Sequence, residues 1–312
     1  MEIIEIKKKN NLLSKMFISG KQYLGLEKLG KGAFGSVYKV QKRDTDEIYA
    51  IKKIKLDVDR EGIPSATLRE ISILKSVNHP NIVKILGITS GDKFIEILLE
   101  YHNLDLRKFM NLYKFNKFIY NLNTVRSIVY QIIRATNYLH SRKILHRDLK
   151  PDNVLFCDKT ILTKLVDFGL SRVYAMPVRA LTQKVLTLYY RAPELLLGID
   201  IYSIAVDLWS IGCIFAELLI RMPLFIGDSE IGQLKKIFEI LGTPGEDIFP
   251  GVTIPNFPLI DPPLGLENFI LKNLQIDMDQ VGLVNAIDLL KKLLAINPYE
   301  RISAKEALNH VS

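Results

Sequence analysis

The chain has 312 residues, of which 48% are hydrophobic, and a formal net charge of +8. This length allows one large core or two moderate ones. Two cysteines are too few for a disulfide framework or a cysteine-based zinc site, and the apolar stretches are too short and too charged to span a bilayer.

A basic tail is predicted at the N-terminus, in residues 1–22. This segment contains the short run Lys7-Lys8-Lys9 but no apolar core followed by a cleavage site, so we expect a solvated tail and no secretory signal. The other lysines and arginines are scattered, without interleaved aromatic residues or a groove-reading motif. We therefore expect neither a nucleic-acid partner nor a membrane partner.

The segment after the tail is predicted to form mostly strands. A strand, a glycine-rich turn and a second strand run from Tyr23 to Val40, and "EIYAIKKIKL" (47–56) alternates apolar and polar residues. In "PSATLREISILKSV" (64–77), Pro64 suits a helix start and the apolar residues recur at helical spacing. Two further strands are predicted in "NIVKILGIT" and "FIEILLEY".

Long helical patterns follow Tyr101. They occur in "LDLRKFMNLY", "TVRSIVYQIIRATNYLHS" and "YSIAVDLWSIGCIFAELL". The third is apolar on nearly every face, so we expect a buried central helix. The predicted fold is α+β, with a small β-sheet lobe carrying one helix at residues 23–101 and a larger, mostly helical lobe at residues 102–312.

The glycine-rich turn contains a GxGxxG pattern at Gly30, Gly32 and Gly35. Alone, this pattern fits a dinucleotide-binding turn, a phosphate-binding hairpin or a merely flexible hairpin. A dinucleotide turn would open a helix, whereas "SVYKV" after Gly35 is typical of a strand. We therefore interpret the turn as a hairpin over phosphates, where glycine lets the backbone approach charged oxygens closely.

A lysine and a glutamate follow this hairpin. Lys52 lies on the next predicted strand and Glu70 on the predicted helix. Each residue alone is typical of a solvent-facing charge. Behind a phosphate-binding hairpin, however, Lys52 could pair with the α- and β-phosphates, and Glu70 would hold its extended side chain.

The stretch "HRDLKPDN" (146–153) sets an acid, a cation and an amide close together. Asp148 is predicted to accept or orient a hydroxyl proton, Lys150 to neutralise charge on a moving phosphoryl group, and Asn153 to bind a metal ion. Asp167 in "DFG" is the second predicted ligand, since magnesium prefers oxygen donors. "RAPE" follows at the expected end of an activation segment.

Taken in this order, the motifs make residues 23–309 resemble a eukaryotic protein kinase. The resemblance implies the bilobal kinase fold, ATP as phosphoryl donor and Mg²⁺ as cofactor. The catalytic residues that it implies are Lys52, Glu70, Asp148, Lys150 and Thr187. The nucleotide-binding residues that it implies are Leu29, Gly30, Gly32, Gly35, Val37, Ala50, Lys52, Glu100, His102, Asp105 and Leu155.

The stretch "EGIPSATLREI" is similar to the PSTAIRE helix of the cell-cycle branch of cyclin-dependent kinases. This similarity implies that a cyclin binds the helix at residues 64–70 and moves Glu70 toward Lys52. It also implies that an upstream kinase activates the enzyme at Thr182, and that the protein substrates carry Ser/Thr-Pro sites. The arginines expected to bind the phosphate on Thr182 are Arg69, Arg147 and Arg172.

Some expectations come from the family resemblance alone. A small accessory subunit is expected near residues 227–244, and the protein is expected in the nucleus and cytoplasm. Ala33 and Phe34 stand where the family usually has a phosphorylated Thr-Tyr pair, which predicts loss of that inhibitory control. The alternatives are a transcription-linked cyclin-dependent kinase, another proline-directed kinase, or a pseudokinase scaffold, which the presence of Lys52, Asp148 and Asp167 disfavours.

Overall fold

The computed structural model describes residues 22–32, 35–56, 64–91, 93–114, 116, 119–173, 188–199, 203–245, 248–249 and 264–311. The described chain divides into two compact units. The first unit consists of the chain up to Asn103 together with Asp167–Leu170. The second unit consists of the rest of the chain.

A five-stranded antiparallel sheet forms most of the first unit, in the order β1-β2-β3-β5-β4. Its strands are β1 (Tyr23–Gly32), β2 (Gly35–Lys42), β3 (Ile48–Lys55), β4 (Ile85–Ser90) and β5 (Phe94–Glu100). Ile54 of β3 packs with Ile95 and Ile97 of β5 in the buried interior. β4 was predicted to begin at Asn81, but the buried residues Ile82 and Val83 precede the paired strand.

One helix, α1 (Ser65–Ser76), accompanies this sheet. It begins after Pro64, whose carbonyl accepts the first helical hydrogen bonds from Thr67 and Leu68. Ile73 and Leu74 are buried, whereas the Leu68 side chain is half exposed. The helix bounds lie close to the predicted range of 64–77.

The second unit is mostly helical, with short strands at the start of its chain. The helices are α2 (Leu106–Leu112), α3 (Leu122–Ser141), α4 (Pro193–Leu196), α5 (Ala205–Ile220), α6 (Glu230–Leu241), α7 (Leu266–Asn273), α8 (Gln280–Leu293) and α9 (Ala304–Val311). The strands β6 (Leu104–Asp105), β8 (Val154–Cys157) and β9 (Leu162–Leu165) form one small sheet, and β7 (Ile144–Leu145) pairs with β10 (Arg172–Val173). The predicted α+β fold class, with its sheet lobe and helical lobe, is confirmed.

Helix α5 is the predicted central helix, and all of its residues are buried. Helix α8 packs closely against α5 at Gly212, where an added Cβ would lie 3.1 Å from Cβ of Leu293. Arg221 caps α5 after Ile220, because its left-handed φ of 58° lets its N–H reach the carbonyl of Glu217. Within the part of the chain that the structure describes, no helix combines the length and hydropathy needed to cross a membrane.

Candidate active site

A lysine and a glutamate form a tight ion pair in the first unit. Nζ of Lys52 lies 2.7 Å from both carboxylate oxygens of Glu70. Strand β3 sets Lys52 opposite Val37 on one side and Ile97 on the other, and α1 supplies Glu70. The side chains are only 15% and 5% exposed, so little water screens their attraction. The predicted pair is therefore present.

Asp167 joins this pair from a distant part of the sequence. Its Oδ1 lies 3.3 Å from Nζ of Lys52, and its φ of 64° is left-handed. Burial alone would lower the pKa of Lys52, but the negative charges of Glu70 and Asp167 and their hydrogen bonds raise it overall. Lys52 therefore stays cationic, as binding of phosphate oxygens requires.

The residues next to Asp167 and Glu70 are also linked. Nη1 of Arg69 donates to the carbonyl of Gly169 at 3.1 Å, and Phe168 is fully buried. Arg69 was predicted to bind a phosphate on Thr182, which lies outside the described residues. In this structure its guanidinium connects α1 to the segment that carries Asp167.

The catalytic loop of the second unit gathers three of the predicted residues. Nζ of Lys150 lies 2.8 Å from Oδ2 of Asp148. Nδ2 of Asn153 donates to both the carbonyl and Oδ2 of Asp148, each at 2.8 Å. The carboxylate is thus fixed by two donors, and this geometry suits a group that orients a hydroxyl and receives its proton.

Asn153 in the second unit and Asp167 in the first unit each carry an oxygen donor of the kind that magnesium prefers. Because the amide nitrogen of Asn153 donates to Asp148, the amide oxygen is the atom that can coordinate a cation. Asp167 offers a carboxylate that is 46% exposed. Oxygen ligands of this kind, completed by phosphates and water, are what Mg²⁺ prefers. The bound ion would neutralise charge on the transferred phosphoryl group.

Asp207 supports the catalytic loop and was not predicted. Its carboxylate accepts hydrogen bonds from the backbone N–H groups of His146 at 3.0 Å and Arg147 at 2.8 Å. Nε2 of His140 lies 2.9 Å from the same carboxylate. The loop needs this support because Arg147 has a left-handed φ of 71°. In the sequence, Asp207 is a charged residue inside a mostly apolar helical pattern. This pattern could have indicated a supporting role, because a buried carboxylate requires partners.

Burial alone would raise the pKa of Asp207. The hydrogen bond to His140, the electrostatic interactions with His140 and His146 and the backbone N–H of Arg147 lower the pKa of Asp207 overall. Asp207 is thus held as a carboxylate although it is fully buried. Its negative charge is used to position the backbone that carries Asp148.

The predicted nucleotide-binding residues of the first unit lie on neighbouring strands. Ala50 is buried and pairs with Leu99. A Cβ on Gly35 would lie 2.3 Å from the carbonyl oxygen of Lys53. The close contact with β3 therefore explains the glycine at this position without a bound phosphate. The other predicted residues of this unit are Leu29, Gly30 and Gly32 on β1, Val37 on β2, Glu100 at the end of β5, and His102.

Two predicted nucleotide-binding residues lie in the second unit, opposite each other in a strand pair. Asp105 of β6 is paired with Leu155 of β8. Asp105 also caps α2, because its carboxylate accepts a hydrogen bond from the backbone N–H of Lys108 at 2.7 Å. Its predicted contact with a ribose would therefore come from a side chain that α2 already fixes.

Five of the residues that carry predictions lie wholly or in part beyond what the structure describes. Thr182 and Thr187 are outside the described residues, as is the side chain of Arg172, whose backbone belongs to β10. Ala33 and Phe34 are also outside them. The predicted roles of these residues stay predictions.

Comparison with known protein families assigns the chain. The model described as the protein kinase domain matches residues 23–311. This range contains the Lys52–Glu70 pair, the catalytic loop and the DFG segment. Members of the family transfer phosphate from ATP and use Mg²⁺. Because the match covers nearly the whole sequence, this chain belongs to the protein kinase family.

Proposed function

We propose that this chain is a cyclin-dependent Ser/Thr kinase that phosphorylates Ser/Thr-Pro sites in proteins controlling the cell cycle. The observation that carries the proposal is the Lys52–Glu70 ion pair, formed by the helix that resembles the PSTAIRE helix. In the family, this pair defines the catalytically competent position of that helix. We propose that the protein acts in the nucleus and cytoplasm.

Each half of the machinery has a distinct task in this proposal. Lys52 binds phosphate oxygens, and Glu70 restricts its side chain to one extended conformation. Asp148 orients the substrate hydroxyl and takes its proton, while Lys150 offsets charge developing on the transferred group. Asn153 and Asp167 each offer an oxygen that could hold Mg²⁺, and the ion would neutralise charge on the phosphates.

The exposed side of α1 supports a cyclin partner. Glu70 is 4% exposed, whereas Leu68 is 51% exposed. The helix thus directs its charged catalytic residue inward and an apolar side chain outward, where a protein partner could cover it. The described position of α1 is the one that the resemblance assigns to the active enzyme, so a cyclin would stabilise it.

We also propose that the accessory subunit binds near residues 227–244. In this segment, Ser229 caps α6 by accepting a hydrogen bond from the N–H of Gly232. The Ile226 side chain just before it and the Ile231 side chain within it are 50% and 60% exposed. One exposed apolar side chain on a capped helix, with a second just before it, suits a protein-binding surface.

The test is transfer of the γ-phosphate to a Ser-Pro peptide and to the same peptide with Ser-Ala. The purified chain is assayed alone, with a cyclin, and with a cyclin after phosphorylation of Thr182. We expect strong activity only in the third condition and only with Ser-Pro. Thr182→Ala is the matched control for the phosphorylation step.

Two outcomes would change the proposal. Equal activity without a cyclin would keep the kinase assignment and remove the cyclin dependence. Equal use of Ser-Ala and Ser-Pro peptides would remove the proline preference. If no condition differed from Asp148→Asn, the chain would instead be a pseudokinase scaffold.

A further inference from the structure

An ion-pair network lies in the second unit, apart from the residues that the mechanism uses. The guanidinium of Arg107 donates to Oε1 of Glu217 and to the hydroxyl of Tyr190. That hydroxyl donates in turn to Oε2 of Glu217 at 2.6 Å. Nε of Arg107 lies 3.7 Å from Oδ2 of Asp152. We call these four residues the Arg107 network.

The two groups that accept hydrogen bonds from Arg107 are deeply buried. Glu217 is 2% exposed and Tyr190 is 4% exposed, and α5 supplies the glutamate from the interior. Ser210 fixes Tyr190 by donating its hydroxyl to the Tyr190 carbonyl at 2.8 Å. A carboxylate in such a place is costly unless a cation meets it with good geometry.

The guanidinium of Arg107 enters this site from the protein surface. Arg107 lies on α2, and its side chain is 28% exposed. Burial alone would lower the pKa of Arg107, but the charge of Glu217 and the hydrogen bonds raise it overall, so the guanidinium stays charged. The rigid part of the network is therefore a preformed recess for a guanidinium, with one half-exposed carboxylate, Asp152, at its outer side.

This recess adjoins the catalytic loop. Asp152 belongs to the helical turn Pro151–Asn153 in that loop. Tyr190 lines a cavity of about 30 Å³ together with Asp148 and Lys150. Tyr190 therefore belongs both to the Arg107 network and to the wall of the cavity beside Asp148, where a substrate hydroxyl would lie. A charge there would act directly on the side chains that flank the phosphorylated residue.

We propose that Arg107 determines substrate specificity by filling a guanidinium-binding recess of its own chain, and so disfavours substrates with arginine beside the phosphorylated residue. The proposal rests on the proposed function as a kinase of protein substrates. Arg107 acts in two ways. It binds the carboxylate of Glu217, and it places positive charge at the outer side of the recess. Both effects disfavour the binding of a second guanidinium, such as that of a substrate arginine.

The first test is independent of catalysis and uses ethylguanidinium chloride as the probe. In Arg107→Ala the recess is vacant, and a small guanidinium can bind Glu217 through charge-assisted hydrogen bonds. We expect the probe to raise the Tm of Arg107→Ala by about 2 °C or more beyond its effect on wild type. Ethylammonium chloride at equal concentration controls for salt and charge.

Two further variants make this test specific. Arg107→Ala/Glu217→Gln lacks the carboxylate and should lose the rise in Tm. Arg134→Ala removes an exposed arginine from α3 and should respond like wild type. If Arg107→Ala does not fold alone, it is refolded in ethylguanidinium chloride and in ethylammonium chloride, and only the guanidinium should restore the folded protein. An equal response in wild type and the single variant would overturn the recess, as would a rise retained in the double variant.

The second test measures kcat/KM with Ser-Pro peptides that carry arginine or alanine at each flanking position. We expect Arg107→Ala to raise the arginine-to-alanine ratio about 10-fold at one position. Arg134→Ala should leave the ratio unchanged, and the double variant should lose the gain. An unchanged ratio at every position would overturn the specificity role. If no variant phosphorylates any peptide, the proposed function fails, and the probe experiment still decides the recess.

Discussion

Lys52 and Glu70 lie 18 residues apart in the sequence, yet Nζ of Lys52 contacts both oxygens of the Glu70 carboxylate at 2.7 Å. A lysine side chain loses considerable rotamer freedom when it is fixed. The pair therefore orders Lys52 within the protein itself, so phosphate binding need not supply that entropy. Strand β3 and helix α1 together create a preorganised cation.

Replacing Lys52 with methionine should lower kcat for peptide phosphorylation by about 100-fold or more, because a preorganised charge is lost. Methionine is similar in length, but the buried Glu70 loses its counter-charge, so we expect a lower Tm with the fold retained. Steady-state kinetics and a thermal melt measure the two effects. Lys55→Met, on the exposed end of the same strand, is the matched control. Comparable losses in both variants would contradict the role given to Lys52.

Replacing Asp148 with asparagine should lower kcat by about 100-fold or more while nucleotide affinity stays close to that of wild type. Asparagine keeps the size of the side chain but cannot take the hydroxyl proton. Lys150 and Asn153 would also lose a charged acceptor. Titration of a fluorescent nucleotide separates binding from chemistry. A loss of nucleotide binding as large as the loss of kcat would assign Asp148 a structural role instead.

Asp207 should make the stability of the protein depend on acidic pH. Its pKa lies below the ordinary value of 3.8, so its contribution is complete above that value and is lost as pH falls through the lowered pKa. We expect Asp207→Asn to lower the free energy of unfolding by about 3 kcal/mol at neutral pH. The difference should shrink as pH falls below 3.8 and through the lowered pKa. Urea titrations at a series of pH values measure it, and a constant difference would contradict the linkage.

The buried pair of Arg301 and Glu194 should matter more than any exposed pair. Their side chains are 0% and 3% exposed, and Nη1 of Arg301 lies 2.8 Å from Oε1 of Glu194. Glu194→Gln leaves a buried guanidinium without its counter-charge, so we expect a loss of about 3–5 kcal/mol. Denaturant unfolding measures this loss.

The control for that experiment is Lys291→Ala. Lys291 and Glu267 form a pair whose side chains are 53% and 51% exposed. Water screens such a pair, so the loss should stay below about 1 kcal/mol. Similar losses in the two variants would mean that burial does not determine how much these ion pairs contribute to the free energy of unfolding.

The sequence predicted those features that depend on local pattern and motif order. Alternation predicted β3, helical spacing predicted α1, and the order of the motifs predicted the pairing of Lys52 with Glu70. The apolar run from Asn81 indicated burial correctly but not the start of β4 at Ile85, because hydrophobicity does not specify which backbone groups pair.

The supporting residues of the site could not be predicted in the same way. Asp207 and Glu217 are acidic residues within an apolar helix, and this pattern alone indicates that they need partners. Their partners, however, are Arg147 at a separation of 60 residues and Arg107 at a separation of 110 residues. Only the tertiary structure specifies such pairs, since local propensity carries no information on them.

Asp207 also has a consequence for the dynamics of the catalytic loop. The N–H groups of His146 and Arg147 lie in irregular structure, where amide protons usually exchange quickly with solvent. Both are bonded to a carboxylate of the most buried helix. Their exchange should therefore require opening of the core around α5, so this short loop would exchange hydrogen as slowly as the helix interior. Its rigidity then comes from the core of the second unit, and heat should inactivate the loop only where α5 itself begins to unfold.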